Sequence, residues 1–180
     1  MALVLTLTAE HGYLLLSLGA IAFECVLIGI VVVGGARRKI FTQQFMENHF
    51  GEAHSKHYKE PINPEGYPDM GTGRYSEKLS YHDWVYFNNA QRAHYNLVEQ
   101  VASVLALLAI GGISYPVPAA IFGWIYFVAR LFYCWYVSSQ GAKHPLRRVG
   151  AFLGDTALVG GFVLTIMTAV KVIGYEDSKA

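Results

Sequence analysis

The sequence is poor in charged residues, and this shortage excludes several classes of protein. Only 15% of its 180 residues are charged, against about a quarter in an ordinary soluble domain. Fourteen basic residues against 13 acidic ones give a net charge of +1, which excludes the strongly basic surface of a nucleic-acid-binding protein. A chain that is 53% hydrophobic and nearly neutral is not intrinsically disordered either.

Cysteine is scarce as well, and the two that are present fall inside apolar segments. Because Cys25 and Cys134 lie among long hydrophobic runs, the sequence predicts no disulfide framework. We expect both to be packing residues, and a redox role for Cys134 is the alternative.

What the sequence does contain is four long apolar blocks, each near the roughly 20 residues that a membrane-spanning helix requires. They lie near Tyr13–Gly35, Ala93–Ser114, Val117–Ser139 and Ala151–Val172. Pro116 and Pro118 predict a turn between the second and third blocks, because proline interrupts a helix interior. The pattern predicts an all-α integral membrane protein, a four-transmembrane-helix bundle that forms a single domain over residues 1–180.

The first apolar block has a cleaved signal peptide as its alternative interpretation. Signal peptides begin with basic residues and have an apolar core of about 7–15 residues. This chain has Glu10 but neither Lys nor Arg before Arg37, and its apolar run is much longer. We therefore expect a membrane span.

One clearly aqueous segment, Arg37–Trp84, separates the first and second blocks and carries most of the charges. We expect an extended loop. His49, His54 and His57 lie in it around Glu52, but their spacing fits no zinc pattern, so we expect solvated histidines and no metal site. Its tyrosines and Trp84 are compatible with a membrane interface, the mouth of a site or the surface of a partner protein.

Basic residues at the ends of the blocks predict the orientation of the chain. They follow the first block and separate the third from the fourth: Arg37, Arg38, Lys39, Lys143, Arg147 and Arg148. Positive residues favour the cytoplasmic side of a membrane. Both of these loops are therefore predicted to face the cytosol, with the two termini on the other side.

Ionisable residues inside the blocks are the main functional signal, because they are costly in lipid. They are Glu24, Arg92, Glu99, Arg130 and Asp155. In the second block Arg92, Asn96 and Glu99 stand at i, i+4 and i+7, which places them on one helix face. In the third block Tyr126, Arg130 and Tyr133 form a similar stripe. We expect Arg130 to be an ion-pair partner within the bundle, and Glu24 and Asp155 to be structural.

The stripe of the second block suits a small zwitterion with excess negative charge. Arginine binds carboxylates with a forked pair of donors, Glu99 can bind an ammonium group, and Asn96 can bond a peptide group. The alternative is structural, because Arg92 and Glu99 can neutralise each other or pair with charges on adjacent helices.

Three motifs carry a family resemblance. The run Gln91–Glu99 resembles the second-helix signature of the MAPEG proteins, the membrane-associated proteins in eicosanoid and glutathione metabolism, and is most similar to their type 3 microsomal glutathione transferase branch. Residues Ala36–Lys39 resemble the basic cluster that follows the family's first helix, and Ala129–Tyr133 resembles its third-helix motif.

The resemblance implies a homotrimer with glutathione as co-substrate at each subunit interface, near the cytosolic face. The residues it assigns to glutathione binding are Arg37, Arg92, His94, Asn96, Glu99 and Tyr133. It places Arg38 near the reaction centre and gives the thiolate-stabilising role to Arg147 or Arg148, between which the spacing does not decide. The implied localisation is the endoplasmic reticulum or a mitochondrial membrane.

The implied activity is that of a glutathione transferase or peroxidase. An arginine lowers the pKa of the thiol, and the thiolate attacks a lipophilic electrophile or lipid hydroperoxide that arrives from the bilayer. The sequence departs from the family where Val137 replaces a tyrosine, and Tyr136 is expected to point elsewhere. The 37–84 loop is also longer than the family norm. The alternative is a non-catalytic member that presents lipids or belongs to a larger membrane complex through this loop.

Overall fold

The computed structural model describes residues 6–63, 69–137 and 141–177, and within these ranges every regular element is a helix. Four helical spans are long and apolar enough to cross a membrane. They are Ala9–Ile40, Tyr81–Gly112, Pro116–Tyr136 and Pro145–Gly174. The predicted four-helix membrane bundle is therefore confirmed. The expected end of the third span at residue 139 lies outside the described residues.

The first span consists of α1 (Ala9–Ile28), a π-helical turn (Gly29–Val33) and α2 (Gly34–Ile40). The buried side of α1 recurs every three or four residues, at Leu14, Ser17, Ile21, Glu24 and Ile28. The π-helical turn packs against His94 of another span, and a Cβ on Gly29 would lie 3.0 Å from His94 Nε2. Glycine therefore permits this close approach, at a type of turn that often marks functional sites.

The second span is the helix α4, which follows α3 (Gln43–Tyr58) in the chain and begins well before the predicted boundary at Ala93. It covers Tyr81–Gly112. Ser80 caps its first turn, since the hydroxyl accepts from the Asp83 amide at 3.1 Å and donates to Asp83 Oδ2 at 2.8 Å. The boundary was wrong because hydropathy detects only the apolar part of a helix.

The third span begins with a proline and ends in a tighter turn. Pro116 is the first residue of α5 (Pro116–Tyr133), where its fixed φ and missing N–H cost little. The two prolines therefore lie in the first turn of α5, and the chain reverses at residues 113–115, before the predicted position. A 3₁₀ turn, Cys134–Val137, follows α5.

The fourth span, in α6 (Pro145–Asp177), packs closely against α4 and α5 through small residues. A Cβ on Gly150 would lie 2.5 Å from the Ala129 carbonyl oxygen, and one on Gly111 would lie 2.7 Å from Leu164 Cβ. Glycines at such contacts let membrane helices approach one another. The core between the spans is built largely from aliphatic side chains and Tyr126.

The segment between the first two spans is folded, which corrects the prediction of one aqueous loop over Arg37–Trp84. Residues 37–40 complete the first span, residues 81–84 begin α4, and α3 forms in between. Thr42 caps α3 by accepting from the Phe45 amide at 3.2 Å. A second apolar cluster joins this segment to α4, and its buried members are Ala36, Ile40, Phe41, Met46, Ile62, Phe87 and Ala90.

Residues 69–76 form a compact turn around the carboxylate of Asp69, which we call the Asp69 turn. Asp69 is 2% exposed. Its Oδ1 accepts from the amides of Gly71 and Gly73 at 2.9 and 3.3 Å and from the Ser76 hydroxyl at 2.5 Å, and its Oδ2 accepts from the Ser76 amide at 2.8 Å. Burial alone would raise the pKa of this carboxyl, but these hydrogen bonds outweigh it and hold the pKa below its ordinary value.

The Asp69 turn is tied to two spans. Gly71, at φ +100°, directs its carbonyl to α4, where it accepts from Trp84 Nε1 at 3.0 Å and from Asn88 Nδ2 at 2.9 Å. The backbone carbonyl of Asp69 accepts from the guanidinium of Arg37 at the end of the first span. The turn therefore has a fixed position beside the polar end of the bundle.

Candidate functional site

The charged stripe of α4 lies on the outer surface of the chain. Arg92 and Glu99 are exposed, and Asn96, half-buried between them, donates to the Arg92 carbonyl at 2.8 Å. No ion pair of Arg92 or Glu99 is formed with the described residues, so neither charge of the stripe is neutralised within that part of the chain. Because charge facing lipid is costly, this surface is suited to contact a polar ligand or another protein chain.

A second group of site residues gathers at the end of α5, where Tyr133 lies between two arginines. Arg147 donates from Nη2 to the Tyr133 hydroxyl at 3.0 Å, and its Cζ is 4.8 Å from the centroid of the ring. The Cζ atom of Arg130 is 4.6 Å from the same centroid. Cations at such distances are attracted by an aromatic face, so the ring and both guanidinium groups hold one another in place.

Tyr136 joins this group, contrary to the sequence-based expectation that it points elsewhere. That expectation assumed an α-helix, but the chain from Cys134 to Val137 is a 3₁₀ turn. Three residues per turn align positions i and i+3, so Tyr136 follows Tyr133 on the same side. Their rings stack at 6.0 Å with an interplanar angle of 20°, and Arg147 Cζ lies 5.0 Å from the Tyr136 centroid.

The structure separates Arg147 from Arg148, which the sequence spacing left undecided. Arg147 is half-buried and contacts Tyr133. Arg148 is exposed and lines a groove of about 440 Å³ on α6. Its other lining residues are Pro145, Val149, Phe152 and Leu153. Within one chain, Arg147 therefore belongs to the tyrosine cluster, and Arg148 borders a largely apolar surface.

Arg37 and Arg38 also have different surroundings. Arg37 donates to the Asp69 turn, and its Cζ lies 5.9 Å from the Phe41 ring centroid and 5.2 Å from that of Phe87. Arg38 is exposed at the end of the first span. In this conformation Arg37 therefore supports the folded segment between the spans, and Arg38 is the more accessible of the two cations.

His94 faces a different direction from the charged stripe. It packs on Gly29 of the first span, whereas Arg92 and Glu99 face outward. The predicted site residues thus fall into separate groups within one chain. The stripe faces outward, Tyr133 and Arg147 meet at the end of α5, and His94 and Arg37 are engaged with other parts of the same chain.

Gln100 is a polar contact of the bundle to which sequence reasoning gave no role. Its Oε1 accepts from Arg130 Nη1 at 3.3 Å and from the Tyr126 hydroxyl at 3.4 Å. No carboxylate of the described residues lies within ion-pairing distance of Arg130, so its expected direct ion pair is not formed. The signal available in the sequence was an amide side chain inside an apolar block.

The spans and the site define an integral membrane protein of the four-helix type, with cationic, phenolic and amide groups on its α4 and α5 helices. The sequence profile of the MAPEG family matches residues 14–167, and the chain belongs to this family. The match includes every residue of the predicted site. The chain is therefore a membrane protein of the class that serves glutathione and eicosanoid metabolism, as the motifs indicated.

Proposed function

We propose that this protein is a glutathione-dependent transferase or peroxidase, most similar in role to the type 3 microsomal glutathione transferases. The observation that carries the proposal is the outward stripe on α4, with Arg92 and Glu99 exposed on a membrane-spanning helix. Glutathione offers carboxylates for an arginine, an ammonium group for Glu99 and peptide groups for Asn96. The stripe thus matches the ligand in charge and in hydrogen-bonding groups.

The proposed assembly is a homotrimer in the membrane of the endoplasmic reticulum or the mitochondrion. One chain leaves the stripe uncovered, and a neighbouring copy would shield its charges from lipid while leaving room for glutathione between the subunits. With the loops between the first and second spans and the third and fourth spans in the cytosol, water-soluble glutathione reaches the site from that side.

The proposed chemistry depends on a thiolate held beside an arginine. Arg147 is the better supported candidate, because Tyr133 and Tyr136 fix its guanidinium, and a cation next to sulfur lowers the thiol pKa. In conjugation, the thiolate forms a C–S bond as the leaving group departs with its electron pair. In peroxide reduction, a second glutathione completes a disulfide and the hydroperoxide becomes an alcohol and water. The groove beside Arg148 provides an apolar surface for the lipophilic substrate.

The test is calorimetric titration of the purified protein with glutathione in detergent. Loss of charge-assisted hydrogen bonds in Arg92→Ala should weaken binding at least tenfold, since such a bond contributes about 1.5–3 kcal/mol. Arg74→Ala, which removes an exposed cation from the Asp69 turn, is the matched control and should bind as the wild type does. Absence of binding at millimolar glutathione would refute the proposal. Turnover of an aryl halide or a lipid hydroperoxide tests catalysis separately.

A non-catalytic role as a lipid-presenting scaffold or accessory subunit is the second candidate. The contact of Arg37 with the Asp69 turn favours it, because a cation assigned to glutathione binding is used to fix the segment between the spans. That segment would then be the contact surface for a larger membrane complex. Glutathione binding without turnover, together with stable co-purification in a larger assembly, would support this role over the enzymatic one.

A further inference from the structure

The groove at the start of α6 combines one exposed cation with apolar side chains. Its volume of about 440 Å³ lies within the roughly 300–1,000 Å³ that is usual for ligand sites. Arg148 is exposed there and forms no ion pair with the described residues. The other lining residues are apolar, and they are Pro145, Val149, Phe152 and Leu153. The groove therefore offers one positive charge beside a hydrocarbon surface.

The charge and the apolar side chains of the groove are separated along the axis of α6. Arg148 lies in the first turn of the helix. Phe152 and Leu153 follow about 6 Å further along, at a rise of 1.5 Å per residue. Because α6 forms the fourth membrane span, the cation lies nearer the polar end of the span and the apolar residues lie deeper. Phe152 is 72% exposed, so its ring is free to contact a molecule in the groove.

The surroundings of the first turn of α6 suit the level of the lipid headgroups. The exposed Trp135, at the end of the third span, stacks on His144 with 6.5 Å between the ring centroids, and tryptophan is enriched at membrane interfaces. The chain from 131 to 154 has no acidic residue, and its basic residues are Lys143, Arg147 and Arg148. The next acidic residue, Asp155, does not line the groove. This end of the bundle is therefore suited to bind an anion.

We propose that the groove binds an anionic phospholipid of the cytosolic leaflet, with its phosphate on Arg148 and an acyl chain along Val149 and Phe152. A guanidinium group binds phosphate oxygens through paired N–H donors, and anionic lipids are characteristic of the cytosolic leaflet. The charge and the hydrocarbon of a phospholipid follow one another in the same order as those of the groove.

This binding site depends on the orientation predicted from the basic residues, and not on glutathione binding or turnover. It would hold equally for a non-catalytic protein. Under the proposed function, the phospholipid and a lipophilic substrate would share the apolar surface of the groove and compete for it.

Native mass spectrometry of the purified protein in detergent, titrated with dioleoyl phosphatidylglycerol, tests the proposal. The wild type should bind this lipid more tightly than dioleoyl phosphatidylcholine, whose headgroup has no net charge. Arg148→Gln should weaken phosphatidylglycerol binding about tenfold, because it removes a charge-assisted hydrogen bond, and should leave phosphatidylcholine binding unchanged. Arg38→Gln, which removes an exposed cation at the end of the first span, is the matched control and should bind as the wild type does.

Three outcomes of this experiment would overturn the proposal. The first is a wild type without preference for phosphatidylglycerol. The second is an equal loss in Arg38→Gln, which would show general attraction between charges. The third is an Arg148→Gln variant that keeps phosphatidylglycerol binding but loses glutathione binding, because the arginine would then serve the other ligand. Loss of lipid binding with intact glutathione binding would support the phospholipid site and leave the proposed function standing.

The apolar part of the site is tested by a headgroup without chains and by a second pair of variants. Glycerol 3-phosphate at millimolar concentration should not displace phosphatidylglycerol, because it lacks the acyl chain. Phe152→Ala should weaken phosphatidylglycerol binding. Phe23→Ala, which removes an exposed ring from α1, should not. Displacement by glycerol 3-phosphate, or equal binding by the two phenylalanine variants, would contradict a lipid in the groove.

Discussion

Asp69 and Glu24 are buried to the same extent, yet one carboxyl group has four hydrogen-bond donors and the other has none among the described residues. Each residue is 2% exposed. The donors of Asp69 come from its own turn, whereas the neighbours of Glu24 are apolar residues of a membrane span. The local backbone, and not the degree of burial, therefore determines how a buried carboxyl group is stabilised.

The difference follows from where the backbone amides are used. In the Asp69 turn, the chain is irregular, so its amides remain available and turn toward the carboxylate. In α1 the amides of Glu24 and its neighbours donate to carbonyls within the helix, as they must in a membrane. A carboxyl group in a span can be satisfied only by side chains or by small molecules.

The largest effect is expected from removing the buried group of the span. Glu24→Leu deprives the buried Arg130 guanidinium of a carboxyl group that attracts its charge, although the two groups form no direct ion pair. The variant should lower the free energy of unfolding by about 4 kcal/mol, measured by denaturant titration in detergent. The double variant Glu24→Leu/Arg130→Leu should recover most of this loss, because no buried charge remains.

Glu10→Leu is the matched control for that experiment, since Glu10 is an exposed glutamate near the start of α1. It should unfold like the wild type. A Glu24→Leu variant as stable as this control would show that the buried carboxyl group of α1 does not contribute to the stability of the bundle.

The next effect concerns the turn. Asp69→Ala removes the acceptor of the Gly71, Gly73 and Ser76 donors and should destabilise the turn by about 3 kcal/mol, which lowers hydrogen-exchange protection of these amides roughly 100-fold. Glu77→Ala, an exposed neighbour in sequence, should leave protection unchanged. Equal protection in the two variants would mean that the carboxylate does not organise the turn.

A smaller effect is expected at the contact between the turn and α4. Gly71 has φ +100°, and a Cβ there would lie 2.7 Å from Asn88 Oδ1, so Gly71→Ala should cost about 2 kcal/mol. Faster proteolysis in the segment between α3 and α4 would report the loss. Gly51→Ala, within α3 and free of close contacts, should not accelerate cleavage, and acceleration in both would exclude a specific role for Gly71.

The two regions also differ in how far the sequence predicts them. The four spans could be predicted because hydropathy sums over many residues, and the stripe Arg92–Asn96–Glu99 because helical spacing is local. The contact of Arg37 with Asp69 could not, since it joins residues 32 positions apart across an irregular segment. Tyr136 was misplaced because nothing in its neighbourhood signalled that α5 gives way to a 3₁₀ turn.

The smallest effect is expected from mild acid, and its sign follows from the pKa of Asp69. The folded turn holds this pKa below its ordinary value, which is about 3.9 in an unfolded chain. The stabilisation is therefore fully present above that value and is lost only as the pH falls through the lower, folded pKa. Between pH 7 and 5, hydrogen-exchange protection of Gly71 and Ser76, corrected for intrinsic rates, should stay constant, and it should decline below about pH 4. Loosening of the turn between pH 7 and 5 would contradict the assignment, because Asp69 would then have to titrate above its unfolded value.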